Sequence, residues 1–528
     1  MNILVAEKVS EACLAVLRRE PGWNVITSSP KEFHSHLGDA DALLVRSAVQ
    51  VTPEVLAKAP KLRVIGRAGV GVDNVDLEAA TAAGVLVMNT PGGNAVSVAE
   101  HTMALMLAMA RQIPKANTTT KAGKWEKKNL LGNELRGKAL GIIGLGSIGR
   151  EVLRRARSFE MKIVANDPYV TSQIARDLDV QLASLDAIYE QCDYITLHLS
   201  LTPETQGMIG RDAFARMKDG VRIINCARGE LIDEEALQAA LSSGKVAGAA
   251  LDAFSVEPPP ATFPLFEIES VIATPHIGGS TEEAQEIVGV RIAEQVSEYL
   301  RSGVAINAVN MTAISPEQYR AVGPYIALAE RLGNLAAHIA VGNPKTVRVT
   351  YYGKLAEMNT SLVRSSALAG LLQRSTEGRA NVVNAMHVAA QRGWEIAERH
   401  EPRGVFSDSV LVELETDSGS AGVEGTVLMG KPRLVRADNI YIEAPLEGHV
   451  IFMRNHDVPG VIGHVGTVLG RNGVNIANFS LGRRESATPG EPLEAVSVVT
   501  TDELVGDAVL TQLMENSAIT MARVVTLP

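Results

Sequence analysis

The sequence predicts an α/β protein: two successive parallel-sheet units, then two smaller α+β units. Strand-length apolar runs alternate with helix-like stretches from the N-terminus to about residue 300, the rhythm of repeated βαβ units. Ala, Val, Leu and Ile dominate the 46% of hydrophobic residues while aromatics make up 4%, which suits strands buried on both faces. A length of 528 residues, at roughly 100–200 residues per domain, calls for about three or four domains.

In chain order, Ile3–Ala6, Ala42–Val45, Leu62–Ile65 and Val85–Met88 read as strands of the first unit, with Ser10–Arg19 as a helix between them. Ser97–Arg111 is apolar on most of its surface, the mark of a helix buried between two units, and Gln112–Gly137 is expected as a polar, basic loop. The second unit takes strands Ala139–Ile143, Ile163–Asn166, Tyr194–His198, Val221–Asn225, Ala247–Leu251 and Val271–Ala273, the alternation that a dinucleotide fold requires. Ser280-Thr281-Glu282-Glu283 then supplies an N-cap and an acidic first turn for an amphipathic helix that runs to about Arg301 and stops at Gly303. Such a helix can return to close the first unit, leaving it discontinuous in sequence.

Beyond Asn310 the texture is mixed: a helix over Tyr319–Ala340, strands at Thr346–Tyr352 and Val410–Thr416, and Gly-rich turns around Gly419–Gly425. From Gly448 the order is strand His449–Met453, helix Val461–Asn472 ended by Gly473, strands Val474–Leu481 and Ala495–Thr500, then helix and strand, a βαββαβ plan. Glu485–Pro492, with two prolines and a glycine, is expected as a loose loop. The resulting boundaries are 1–97 with 285–307, then 98–284, 308–445 and 448–528.

Fifty Lys and Arg against sixty Asp and Glu give a net charge of −10, which offers no positive field for a phosphodiester backbone, so nucleic acid is not expected as a partner. Cys13, Cys192 and Cys226 are the only cysteines and lack CxxC spacing. Neither a disulfide framework nor a metal site is therefore expected, and a reducing compartment follows. The apolar run Met103–Ala110 is far short of the ~20 residues needed to span a bilayer. The N-terminus lacks a basic, then apolar, leader, so the expected location is cytoplasmic, without membrane contact.

Gly144-x-Gly146-x-x-Gly149 directly follows a strand and opens a helix-like stretch, and the next strand ends at Asp167, 21 residues beyond Gly146. Gly144 serves a tight turn, Gly146 a close approach of backbone to a pyrophosphate, and Gly149 helix-to-strand packing. Asp167 can accept from adenine-ribose hydroxyls and would repel a 2′-phosphate, so NAD is expected rather than NADP.

Three further segments each follow a strand at the sheet's carboxyl edge, where ligands bind in open α/β folds: Asn225-Cys226-Ala227-Arg228-Gly229, Leu251-Asp252 through Glu257-Pro258, and Thr274-Pro275-His276-Ile277-Gly278-Gly279. Hydride exchange between NAD and a hydroxy acid needs a cation for the carboxylate and an acid/base for the hydroxyl proton, and Arg228 and His276 are that pair. Glu257, bonded to one imidazole nitrogen, would fix the tautomer and favour the charged ring. Singly, such residues are more often surface ion pairs or structural groups; their joint occurrence beside a dinucleotide motif reverses that balance.

On these residues the chain resembles the D-isomer-specific 2-hydroxyacid dehydrogenases over about residues 1–307. The resemblance implies a Rossmann-type nucleotide domain inserted in a flavodoxin-like substrate domain, with Arg228, Glu257 and His276 catalytic. It also implies that Ser147, Ile148, Cys226, Ala227, Arg228, Asp252, His276, Gly278 and Gly279 line the cofactor, Asp252 near the nicotinamide amide. Val45-Arg46-Ser47 and Gly66-Arg67-Ala68-Gly69 through Asn74 also follow strands, and arginines with Ser or backbone N–H groups suit a phosphate or carboxylate. These stretches most resemble the branch of the family that uses 3-phosphoglycerate, which places Arg46, Ser47, Arg67 and Gly69 with Arg228 and His276 around substrate.

Lys124-Trp125-Glu126-Lys127-Lys128 is either a solvated charged loop or a cation source for a neighbouring subunit. The C-terminal unit resembles an ACT domain through Asn455-His456-Asp457-Val458-Pro459-Gly460 and Gly473-Val474-Asn475. That likeness implies an amino-acid effector, L-serine, at Asn455, Asp457 and Asn475 between subunits of a homodimer or homotetramer. Residues 308–445 resemble, in length and position, the extra domain of the longer family members. Two alternatives stay open at this stage: a reductase of 2-oxoglutarate, hydroxypyruvate or glyoxylate, and a non-catalytic NAD or amino-acid sensor.

Overall fold

The computed structural model describes residues 1–312, 314–374, 380–485 and 493–527; the loop expected over Glu485–Pro492 thus falls, from 486 onward, outside the described residues. Strand and helix alternate through the first two units, and each unit forms a wholly parallel sheet. The first sheet orders its strands Asn24–Thr27, Asn2–Val5, Ala42–Val45, Val64–Arg67, Leu86–Met88. Its central strands Ala42–Val45 and Val64–Arg67 are buried on both faces, which is why they read as unbroken apolar runs rather than alternating ones.

The second sheet has seven strands, in the order Val271–Ala273, Val246–Leu251, Val221–Asn225, Tyr194–Leu197, Ala139–Ile143, Lys162–Asn166, Gln181–Leu182. The strand order reverses beside Ala139–Ile143, and a crevice opens at that switch point. Sequence reasoning missed two edge strands: Asn24–Thr27, which is only half-buried, and the two-residue Gln181–Leu182. Edge strands bury one face or less, so they leave a weak apolar signature. The segment expected as loop, Gln112–Gly137, contains the helix Ile113–Lys121, which has no buried residue and hence no apolar stripe to betray it.

The chain crosses between these two sheets twice. After Leu86–Met88 it enters the helix Ala95–Ala110, whose Met103, Met106 and Met109 share a core with the second sheet. After Val271–Ala273 it enters the helix Glu282–Ser302, whose Val288, Ile292 and Val296 pack back on the first sheet. Thr281 caps that helix, accepting from Ala284 N, and Gly303 ends it at φ 78°. The two crossings touch each other: Ser97 Oγ and Thr281 Oγ1 are 2.7 Å apart.

The third sheet is six-stranded and mostly antiparallel, in the order Glu395–Glu401, Pro344–Tyr352, Ser409–Thr416, Gly419–Leu428, Lys431–Ala437, Ile440–Pro445. Gly419–Gly425, expected as turns, lies within one of these strands. A Cβ on Gly425 would stand 2.7 Å from Leu328 Cδ1 and 2.8 Å from the Arg433 carbonyl, so glycine there admits the helix Pro316–Ile339 rather than breaking the strand. The third unit rests on the first through Asn381 Nδ2, which donates to the Gly84 carbonyl at 2.8 Å, and through Asn310 Nδ2, which donates to the Val85 carbonyl at 2.9 Å.

The C-terminal sheet runs Ile476–Arg483, Glu494–Thr501, Gly448–His456, Ile519–Leu527, and period-two alternation splits its residues between two cores. Ile451 and Met453 face the unit's own helices, while Val450 and Phe452 join the core of the third sheet. Among the described residues no helix is long and apolar enough to cross a membrane.

Candidate active site

The carboxyl ends of the two parallel sheets, with His101 from the helix Ala95–Ala110, supply the groups in the crevice. Gly144 takes φ 98°, with its Cα so close to the end of the neighbouring strand Tyr194–Leu197 that a Cβ would stand 2.3 Å from the His198 carbonyl oxygen. A Cβ on Gly149 would lie 2.0 Å from the Gly144 carbonyl oxygen, whereas one on Gly146 would meet nothing within 4 Å. Two glycines thus serve packing. The third leaves open space at the N-terminus of the helix Ser147–Ser158, where the N–H groups and dipole favour an anion. Asp167 ends the next strand, its oxygens accepting from Leu145 N at 2.8 Å and Tyr169 N at 2.9 Å. That bracing ties the acidic group to the glycine turn and leaves it acceptor capacity. The open cradle, turn and acceptor fit a pyrophosphate-linked dinucleotide.

On the other side of the switch point, Asn225 shapes the turn that carries Arg228. Its Oδ1 accepts from Ala227 N at 3.0 Å and its Nδ2 donates to the Arg228 carbonyl at 2.8 Å. Gly229 lies against the neighbouring loop, where a Cβ would stand 1.9 Å from the Phe254 carbonyl carbon. Cys226 is buried, and that burial pushes its thiol up to about 12, so it stays a neutral packing group.

Asp252 is 1% exposed and acts as a hub. Its Oδ1 accepts from Thr274 Oγ1 at 2.6 Å and Ile277 N at 2.9 Å, and its Oδ2 accepts from Gly278 N at 2.7 Å. His101 Nε2 lies 3.3 Å from Oδ1. Burial pushes this carboxyl up, yet His101, Thr274 and the two backbone donors together hold it below its ordinary range. Gly278 and Gly279 fit closely here, since Cβ atoms would lie 3.0 Å from Asp252 Oδ2 and 2.9 Å from Asn94 Nδ2.

The hub brackets His276. Its backbone takes φ 53°, an uncommon conformation for a non-glycine residue, and its Nδ1 lies 2.7 Å and 2.9 Å from the two Glu257 oxygens. The Glu257 hydrogen bond, against the opposing effect of burial, raises the His276 pKa. Burial alone would raise Glu257, but bonds from His276 and Phe254 N hold it below its ordinary value. The Arg228 charge acts on both members of the pair. Among the described residues Nε2 takes no hydrogen-bond partner, which leaves it as the nitrogen to meet a substrate.

From the first sheet, Glu7 is 8% exposed and accepts from Arg46 N at 2.8 Å, Val49 N at 3.0 Å and Ala48 N at 3.2 Å, fixing the loop that carries Arg46 and exposed Ser47. Arg67 follows on the next strand and lies over Gly69, whose φ of 151° and missing Cβ make room for its guanidinium. Burial and then the like charge of Arg228 lower the Arg67 pKa, with Arg46 adding to the effect and Asp73 and Glu7 opposing it. Arg67 Nε is buried without a partner, so three guanidiniums converge where the described residues do not fully satisfy them. Such a site is made for an anion with more than one charged group.

The structure therefore brings Arg46, Arg67, Arg228, Glu257 and His276 to one crevice with the glycine turn. Sequence reasoning missed Glu7, His101 and Asp73, the last paired to Arg228 across the crevice at 2.9 Å. Neither Glu7, two residues beyond the strand Asn2–Val5, nor Asp73, six beyond Val64–Arg67, carries a local mark of its role.

In the C-terminal unit, Asn455 is 3% exposed; it accepts from Ser497 Oγ and donates to the His456 carbonyl. These two bonds occupy its amide within the C-terminal unit. Asp457 pairs with Arg483 at 3.1 Å, and Asn475 donates to Asp502 at 2.6 Å.

A nucleotide crevice flanked by a histidine–carboxylate pair and convergent arginines defines an NAD-dependent dehydrogenase of the D-2-hydroxyacid class. Residues 103–278 match the NAD-binding domain of D-isomer specific 2-hydroxyacid dehydrogenases, 321–438 the D-3-phosphoglycerate dehydrogenase intervening domain, and 449–517 the ACT domain. The chain is 41% identical over 519 residues to D-3-phosphoglycerate dehydrogenase of Methanocaldococcus jannaschii, covering 98% of each chain. It is 36% identical over 530 residues, covering all of both chains, to that of Bacillus subtilis. The NAD-dependent formate dehydrogenase of Staphylococcus aureus in complex with NAD superposes with a TM-score of 0.51 at 30% identity, over 57% of this chain and 96% of that one. The chain belongs to the D-3-phosphoglycerate dehydrogenase family.

Proposed function

We propose that the protein oxidises 3-phospho-D-glycerate to 3-phosphooxypyruvate with NAD, the first step of the phosphorylated route to L-serine. The observation that carries this reading is the placement of the His276–Glu257 pair beside three arginines that converge from two sheets. A substrate with a carboxylate at one end and a phosphate at the other uses such a surplus of cations, whereas a monocarboxylate does not.

Arg228 grips the C1 carboxylate and draws charge from C2. Arg46, Ser47 and Arg67 hold the phosphate, and Gly69, by lacking a Cβ, leaves room for the Arg67 guanidinium to do so. His276 Nε2 accepts the C2 hydroxyl proton as the carbonyl forms, and Glu257 stabilises the resulting imidazolium. The chemistry that NAD would supply is acceptance of the hydride from C2, so that the products would be the 2-oxo acid, NADH and one proton. Gly144, Gly146, Gly149 and Asp167 hold the dinucleotide, with Ser147 and Ile148 at the helix start and Cys226, Ala227, Gly278 and Gly279 lining it. Asp252 serves the nicotinamide end through the loop it braces.

The first sheet and its returning helix act as the substrate domain and the second sheet as the nucleotide domain. L-serine, bound by Asp457 and Asn475 between C-terminal units of a homo-oligomer, regulates the rate. Exposure of Trp125 (84%) and Leu131 (89%) supports a subunit contact at that loop, and three buried free thiols support a cytoplasmic location.

Initial NADH formation from 3-phosphoglycerate, compared with D-glycerate and D-2-hydroxyglutarate, tests the substrate. Strong preference for the phosphorylated acid is expected. Equal or better turnover of an unphosphorylated acid would favour a general 2-oxo acid reductase.

A further inference from the structure

We propose that Asp73 is a positioning residue that presents the Arg228 guanidinium to the substrate carboxylate; this rests on the reading of Arg228 as the carboxylate grip. A guanidinium has five N–H donors in a plane. Arg228 Nε and Nη2 donate to the same oxygen, Asp73 Oδ2, at 3.1 Å and 2.9 Å, and Nη1 donates to the Ala227 carbonyl at 2.8 Å. The two N–H groups left over belong one to Nη1 and one to Nη2, so both terminal nitrogens keep a donor for a carboxylate. Asp73 takes the side edge of the guanidinium and leaves these two donors free.

The surrounding loop is built for this pair. A Cβ on Gly71 would stand 2.1 Å from Arg228 Nη2 and 2.7 Å from Asp73 Oδ2, so any side chain there would displace one partner. Asn74, next in sequence, is buried, and its Nδ2 donates to the Arg46 carbonyl at 2.8 Å and the Val49 carbonyl at 2.7 Å. The loop under Asp73 is thereby fixed to the loop that carries Arg46. The Asp73 side chain is 64% exposed and that of Arg228 27%, and a pair so open to water contributes little to stability. Its value is geometric: it ties a loop of the first sheet to a turn of the second across the crevice.

Charge and position predict opposite results when Asp73 is removed. As a bare negative charge beside an anionic substrate, it weakens binding and its loss tightens it. As a positioning group, its loss frees the guanidinium and weakens binding.

The test is calorimetric binding of oxalate to the full-length protein–NADH complex, with steady-state kinetics on 3-phosphoglycerate in parallel. Asp73→Ala should weaken oxalate and raise KM by about tenfold, with kcat falling less, because a freed side chain forfeits orientation. NADH affinity should not change. Asp73→Asn keeps an acceptor oxygen without the charge and should recover most of the loss, remaining about threefold weaker than the parent. Unchanged or tighter oxalate binding in Asp73→Ala overturns the proposal. If that variant does not fold, Asp73→Asn decides on the same sign. A parent enzyme that binds oxalate but makes no NADH from 3-phosphoglycerate would sink the substrate reading and leave this one standing. A parent complex that fails to bind oxalate would remove Arg228 as the grip, and Asp73 with it.

Discussion

His276 holds a left-handed backbone conformation, φ 53°, which costs a non-glycine residue of order 1–3 kcal/mol. The bonds from Ile277 N and Gly278 N to Asp252, and from the ring to Glu257, hold it there. Two predictions follow from this arrangement. Glu257→Gln removes the anion that raises the His276 pKa, so that pKa falls. In the oxidation direction, where His276 must be neutral, the acid limb of the kcat/KM profile shifts to lower pH. In the reduction direction, where it must be protonated, the alkaline limb also shifts to lower pH. An unmoved profile in both directions removes Glu257 from proton transfer. Asp252→Asn puts an amide among donors and should cost about 2–3 kcal/mol in chemical denaturation; an unchanged midpoint would refute the hub. Arg228, Glu257 and His276 were legible in sequence because each lies in a segment that follows a short apolar strand of the nucleotide unit. Glu7 and Asp73 were not, because their partners lie 39 and 155 residues away and only the folded chain brings them together.

Among the elements, loops that meet backbone to backbone are the least tolerant. Gly229 touches the backbone of Phe254 and Ser255, where a Cβ would stand 1.9 Å and 2.2 Å from main-chain atoms. Neither can yield as a flexible side chain does. Gly229→Ala should therefore cost at least about 2 kcal/mol and displace together the turn bearing Arg228 and the loop bearing Glu257. Thermal melts and kcat/KM should fall in step, and retention of parent activity would show that the loops adapt. The central parallel strands and the capped helix Glu282–Ser302 were readable because burial on both faces and Thr281–Glu283 leave strong local marks. The strand Gly419–Leu428 was misread because Gly425 makes room for Leu328 and Leu332 of the helix Pro316–Ile339, a tertiary demand that looks locally like a turn.

In the whole molecule, the third sheet and the C-terminal sheet share one hydrophobic core, with Val450 and Phe452 as members and Phe452 fully buried. Phe452→Ala should cost about 3–5 kcal/mol and melt both regions in one transition, while NADH binding by the catalytic half survives; two separate transitions would contradict the shared core. The two parallel-sheet units relate differently. They are joined by two passages of chain that meet at the Ser97–Thr281 contact. Two joined bodies with both links side by side cannot slide past each other without breaking that contact, but they can swing about a line through it, as a door swings on adjacent pins. A swing about that contact would carry Arg46, Arg67 and Asp73 as a block relative to Arg228 and His276.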